Sequence, residues 1–228
     1  MSAPASIRAV TFDVGGTLIE PWPSVGYAYA HVAARHGDGH LDPAALTREF
    51  VLAWGRRPAD FDYSRAAWAS VVERTFSSIS PLARDEAFFA DLYHYFSTPD
   101  PWRVYDDVRP VLQTLRGYGL KLAVLSNWDD RLRPLLDALD LTPHFDHIIV
   151  SGELGVHKPA PRIFRHALDA LGLEANAVFH VGDSAEEDIA GALGVGLAAA
   201  RIDRAAARSD ERTIRSLAEL PGRLSPRR

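Results

Sequence analysis

Phe12-Asp13-Val14-Gly15-Gly16-Thr17-Leu18 sets an aspartate, two glycines and a threonine at the end of a short apolar run that begins at Ile7. A strand that stops at an acid followed by Gly-Gly delivers a carboxylate to a sheet edge, on backbone free to bend around a ligand. That is how an aspartyl nucleophile is presented. Taken alone, the segment reads first as an ordinary turn, because Asp and Gly are common turn residues after a strand. Three later segments reverse that reading.

From Val108 onward, short β-branched or apolar runs (Leu120 to Leu125, His147 to Val150, Val178 to Val181, Gly196 to Ile202) alternate with helices. This is βαβ rhythm, and it predicts a parallel sheet to which Ile7 to Phe12 also belongs. Between Leu18 and Trp102 the texture is helical instead, over His31 to Arg35, Pro43 to Trp54, Arg65 to Phe76 and Arg84 to Phe96. Trp68, Val71, Val72 and Phe76 fall on one helical face, as do Phe88, Phe89, Leu92, Tyr93 and Phe96, and both stripes read as core. The expected domains are therefore an α/β core, residues 1–19 and 104–228, and an inserted helical unit, residues 20–103.

With 47% hydrophobic and 24% charged residues, the 228-residue chain reads as soluble and globular. The longest nearly apolar stretch, Ile189 to Ala200, is too short and glycine-rich to span a bilayer, and no signal-like segment is seen. A cytoplasmic protein without a membrane partner is expected. The absence of cysteine excludes disulfides, thiol catalysis and cysteine-ligated metal. A net charge of −5 argues against general nucleic-acid binding, which needs a basic face. The tail, Ser225 to Arg228, is expected to be disordered.

Leu122-Ala123-Val124-Leu125-Ser126-Asn127 is a buried strand ending in a hydroxyl and an amide, either phosphate donors or caps of a helix over Asp130 to Leu139. In His157-Lys158-Pro159, a lysine in a loop before the helix from Arg162 to Leu171 can reach an anion as a point charge. In Val181-Gly182-Asp183-Ser184-Ala185-Glu186-Glu187-Asp188, two carboxylates flank a strand-to-helix turn, as caps or as ligands of a divalent cation. Neighbouring strand ends of a doubly wound sheet share one crevice, so Asp13, Ser126, Lys158, Asp183 and Asp188 are expected to converge. His31, His36 and His40 do not keep one helical face and read as solvated. His157 and His180 adjoin the motifs, but packing or a hydrogen bond accounts for each.

These four segments, in this order, resemble the haloacid dehalogenase-like hydrolase superfamily: an Asp-x-Asp-x-Thr strand end, a Ser or Thr, a Lys, and a Gly-Asp-x-x-x-x-Asp loop. Asp13-Val14, Trp68, Trp102, Ser126-Asn127 and Lys158-Pro159-Ala160-Pro161 resemble its REG-2-like branch more narrowly. The resemblance implies a Rossmann-like core with strand order 5-4-1-2-3 and makes the helical insertion a C1 cap. It further implies Asp13 as nucleophile and Lys158 as its neutralising partner. Ser126, Asn127 and the Gly16 backbone become phosphate contacts, and Asp13, the Gly15 carbonyl, Asp183 and, through water, Asp188 become ligands of Mg²⁺.

Three acids against one lysine leave such a pocket at about −2, and two carboxylates about 4 Å apart repel by about 4 kcal/mol at an effective dielectric of about 20. A cation is required. Phosphatases of the superfamily place a second aspartate, the general acid/base, where this chain has Gly15. The expected activity is thus slow Mg²⁺-dependent hydrolysis of a small phosphorylated molecule, with Glu20 a weak candidate for the missing acid. The alternatives are a metal-independent 2-haloacid dehalogenase and a non-catalytic phospholigand- or partner-binding module. Arg56, Arg57 and Arg103 read as surface residues, the substrate is not spelled out, and monomer and homodimer both stay open.

Overall fold

The computed structural model describes residues 6–58 and 60–224, so the expectation for the last four residues lies outside it. In chain order the elements are β1 (Ala9–Phe12), β2 (Ile19–Pro21), α1 (Val25–Arg35), α2 (Pro43–Gly55), α3 (Arg65–Phe76), α4 (Glu86–Tyr95), β3 (Trp102–Val104), α5 (Val108–Gly117), β4 (Lys121–Ser126) and α6 (Leu132–Ala138). There follow β5 (His147–Val150), α7 (Ser151–Leu154), α8 (Pro161–Leu171), β6 (Val178–Gly182), a π-helical turn (Ala185–Ala190), α9 (Gly191–Gly194), β7 (Ala198–Ile202), β8 (Thr213–Ile214) and α10 (Leu220–Leu224). The chain packs as two compact units, one holding residues up to Ile19 and from Val104 onward, the other Glu20–Arg103.

The first unit is built on a sheet ordered β5-β4-β1-β6-β7-β8, parallel at every pairing. Counted among themselves, its first five strands run 5-4-1-2-3 from β7 to β5, the expected order, and β8 adds an unforeseen edge. β1 is buried along its whole length, as a strand must be when helices cover both faces of a parallel sheet. On one face Ile163, Phe164, Ala167 and Leu171 of α8 pack with Ala9, Ala123, Leu125 and Ile149 of the sheet. Each large apolar side chain buried there stabilises the fold by about 1.5–3 kcal/mol. Because the strands are parallel, β1, β4 and β6 release their following residues at one edge. The sheet order reverses at β1, and that is where a doubly wound sheet opens a crevice.

The second unit buries Tyr29, Leu46, Val72, Phe76, Phe88 and Leu92 as one cluster. The predicted stripes supply Val72, Phe76, Phe88 and Leu92 of it, although Trp68 is only half-buried, stacked on Trp54 with ring centroids 5.2 Å apart. Two helix starts differ from expectation, and caps explain both. α1 begins at Val25 because the Ser24 hydroxyl accepts from the Tyr27 N–H at 3.1 Å, and α4 begins at Glu86 because Asp85 accepts from Phe88 N–H at 2.8 Å. His36 is not solvated as expected: it is 3.0 Å from Asp91, which α4 carries up to it, and lies edge-on to Phe88. Arg103 pairs with Glu20 and lies 3.3 Å over the Trp22 ring.

Candidate active site

Asp13 leaves the end of β1 with its N–H bonded to the Val181 carbonyl of the neighbouring strand at 2.9 Å. Its Oδ1 accepts from Ser126 Oγ at 3.0 Å and from Lys158 Nζ at 2.7 Å. Among the described residues, its Oδ2 has the distant Thr17 hydroxyl, at 3.5 Å. The Lys158 ammonium also donates to Asp188 Oδ1 at 2.5 Å, and both residues are almost wholly buried. One oxygen each of Asp13, Asp183 and Asp188 lies within 4.8 Å of the others. The four segments therefore meet, across 175 residues of chain from Asp13 to Asp188.

Two expected phosphate contacts are otherwise engaged. The Asn127 amide accepts from the Lys158 N–H at 2.7 Å and donates to the Lys158 carbonyl and to Glu187 Oε2, both at 2.9 Å. Its side chain grips the lysine's backbone rather than facing an open site. The Gly16 N–H closes the loop onto the Ile19 carbonyl at 2.8 Å. Gly16 contributes conformation instead: its φ is +73°, and a Cβ there would sit 2.5 Å from Asp183 Oδ2. Neither Ser126 nor Asn127 caps α6, whose cap position is Arg131.

Charge is unevenly shared in this cluster. Burial works against the Lys158 charge but is outweighed by Asp13 and Asp188, so the ammonium is held above its ordinary range. Burial likewise opposes ionisation of Asp188, yet Lys158 and His180 hold its carboxyl well below the usual carboxylate range. Asp13 is pushed up, by burial first and by Asp188, against the pull of Lys158. Desolvation and the charges of Asp13 and Asp188 push Asp183 up to about 7. As a residue Asp183 stays exposed, so water screens part of this.

The donor set fits a hard divalent cation. All three side chains offer oxygen, and the three carboxyl groups outnumber the single ammonium of Lys158 that pairs with two of them. Asp188 is committed elsewhere: Oδ1 to Lys158 and His180, Oδ2 to the Ser184 N–H at 2.9 Å. Among the described residues of the cluster, Asp13 Oδ2 and Asp183 offer carboxylate oxygens that can face an ion. The backbone bonds that close the first loop run from Thr17, Leu18 and Ile19 N–H to the Val14 carbonyl and pass over the Gly15 carbonyl.

Sequence reasoning missed several supports. Trp128 Cζ3 lies 3.4 Å from where a Cβ on Gly15 would stand, so an indole borders the position of the missing acid. Arg204 donates to the Thr17 carbonyl at 2.9 Å while gripping Asp107 with both Nη atoms. Thr11 is buried too, and a signal for it existed, namely a polar residue inside an otherwise apolar strand. His180 has the hydrogen bonds that its sequence reading allowed, to Thr11 and Asp188.

A parallel sheet with an acid at the end of its central strand, answered by a lysine and two further acids, defines a haloacid dehalogenase-like architecture. The model of that hydrolase family matches residues 7–196, and the chain belongs to it. The chain is 36% identical over 207 residues to haloacid dehalogenase-like hydrolase domain-containing protein 3 of Homo sapiens, over 84% of this chain and 80% of that one. This bears out the narrower resemblance too. Identity to the phosphoglycolate phosphatase of Chromobacterium violaceum is 31% over 220 residues, or 94% of this chain and 95% of that one. Among solved structures, a HAD phosphatase from Thermococcus onnurineus shares the fold at a TM-score of 0.69 and 26% identity, over 96% of this chain and 98% of that one. Among the described residues, no helix is long and apolar enough to cross a membrane.

Proposed function

We propose that this chain is a Mg²⁺-dependent phosphomonoester hydrolase that acts on a small phosphorylated metabolite through an aspartyl-phosphate intermediate. The observation that carries it is the meeting of Asp13, Asp183 and Asp188 oxygens within 4.8 Å, with Lys158 Nζ bonded to the first and third. Asp13, Asp183 and the Gly15 carbonyl would hold the cation, with Asp188 acting through water. Bound there, the ion supplies the positive charge that lets a phosphate dianion approach a ring of acids.

The remaining chemistry belongs to side chains of the chain itself. Asp13 attacks phosphorus, forming an O–P bond as the bond to the leaving group breaks. Lys158, held next to that carboxylate, neutralises charge on the equatorial oxygens, and the Ser126 hydroxyl orients them. Water then attacks the aspartyl phosphate, releasing phosphate and restoring Asp13. Gly15 protonates no leaving group and activates no water. A positioned acid/base is worth about 10² to 10⁴ in rate, so turnover is slow and favours leaving groups that depart without a proton. The helical unit Glu20–Arg103 is read as the cap that carries substrate specificity.

A phosphatase screen with and without Mg²⁺, beside Asp13→Asn, tests this reading. Turnover that requires both Mg²⁺ and Asp13 is expected. Activity on 2-chloropropionate in EDTA, with none on phosphate esters, would replace the reading with dehalogenation.

A further inference from the structure

We propose that His180 is a positioning residue of this site, holding Asp188 and, through it, Lys158 in place for work at Asp13; its kinetic consequence rests on the phosphohydrolase reading above. His180 sits inside β6 between Phe179 and Val181 and is completely buried. A polar ring in such a place needs partners, because a buried donor or acceptor left unsatisfied loses its hydration without compensation. Parallel register sets Thr11 of β1 beside it, and the Thr11 hydroxyl is 2.8 Å from Nδ1. Nε2 is 3.1 Å from Asp188 Oδ1. Phe164 closes the ring off edge-to-face, with centroids 5.6 Å apart.

These contacts select a tautomer. An ionised Asp188 only accepts, so Nε2 carries a proton, and in the neutral ring Nδ1 then accepts from the Thr11 hydroxyl. The chain of donors then runs from Thr11 to His180 to Asp188. Asp188 Oδ1 accepts from His180 and from Lys158, while Oδ2 accepts from the Ser184 N–H. Three contacts from different elements fix the carboxylate plane. Without the imidazole, Asp188 is held only by Ser184 and by the very lysine it is meant to aim. Thr11 and Asp13 share one face of the strand line, two residues apart, so the support lies directly beneath the group it serves.

Long-range ¹H–¹⁵N correlation spectra of the labelled full chain read the tautomer, with the His180 signals assigned by their loss in His180→Gln. A proton on Nε2 is expected, and a ring protonated at Nδ1 alone overturns the proposal. Kinetics with p-nitrophenyl phosphate and Mg²⁺ read the consequence. His180→Leu is expected to lower kcat by about 10-fold or more with KM nearly unchanged, and His180→Gln, which keeps an N–H toward Asp188, to recover most of that loss. Thr11→Val falls between them. Equal rates in the Leu and Gln variants, or rates that simply follow their melting temperatures, overturn the proposal. If His180→Leu does not fold, the Gln and Thr11→Val variants decide. A wild type without turnover defeats the phosphohydrolase reading, while the tautomer still decides the hydrogen-bond chain.

Discussion

At Gly15 a single missing side chain sets the expected rate. A Cβ there meets only Trp128 Cζ3, at 3.4 Å, an ordinary contact, so Gly15→Asp should fold and place a carboxyl beside Asp13. Its Mg²⁺-dependent hydrolysis of p-nitrophenyl phosphate is expected to exceed wild type, and the gain should reach about 10²-fold or more for alkyl phosphates, whose leaving groups need the proton. An unchanged rate would mean that another group already serves. Gly16 behaves oppositely. With φ at +73° and Asp183 Oδ2 2.5 Å from a new Cβ, Gly16→Ala should cost about 1–2 kcal/mol for the left-handed backbone alone. It should also displace Asp183 and so lose stabilisation by Mg²⁺, which a thermal melt with and without the ion measures. Asp13, Ser126 and Asp183 were legible because strand ends announce themselves, whereas Lys158 and Asp188, which end no strand, were legible only from the order of the four segments. The engagement of the Gly16 N–H was not, since turn closure depends on which carbonyl folds back.

At the scale of elements, β1, β4, β5, β6 and β7 were legible because strands covered on both faces become continuous apolar runs. β8 was not, being two residues long at an edge. The starts of α1 and α4 were blurred because their caps lie outside the periodic stripe. The π-helical turn Ala185–Ala190 also escaped: its bond from the Ile189 N–H to the Ser184 carbonyl, 3.2 Å, leaves no period to read. That turn swings Asp188 back toward β6, where a Cβ on Gly182 would meet its Cγ at 2.1 Å. Asn127 makes a comparable tie between the end of β4 and the segment bearing Lys158. Asn127→Ala leaves the buried Lys158 N–H unpaired, a loss of about 1–3 kcal/mol. Chemical denaturation should show that loss together with a lower kcat, because the backbone that aims Lys158 is loosened. A variant as stable and active as wild type would return Asn127 to an incidental contact.

For the whole molecule, the acids at the sheet edge link stability to pH in two windows of opposite sign. Asp183 is raised from an ordinary 3.8 to about 7. Between those values the folded chain keeps a proton that the unfolded chain has released, so this contribution is full at acid pH and is lost as pH climbs through about 7. Asp188 is lowered. Its contribution is present above the ordinary carboxylate range and disappears as pH falls below it. The metal-free protein should therefore lose stability relative to Asp183→Asn as pH rises from about 4 toward 7. Mg²⁺ binds the ionised form, so its stabilising effect should grow across the same interval. Melts of wild type and Asp183→Asn over this range, in EDTA and in Mg²⁺, separate the two effects. A wild-type-minus-variant difference that stays flat with pH, or a variant stabilised by Mg²⁺ as fully as wild type, would remove Asp183 from the metal site and leave Lys158 as the chief counter-charge for Asp13.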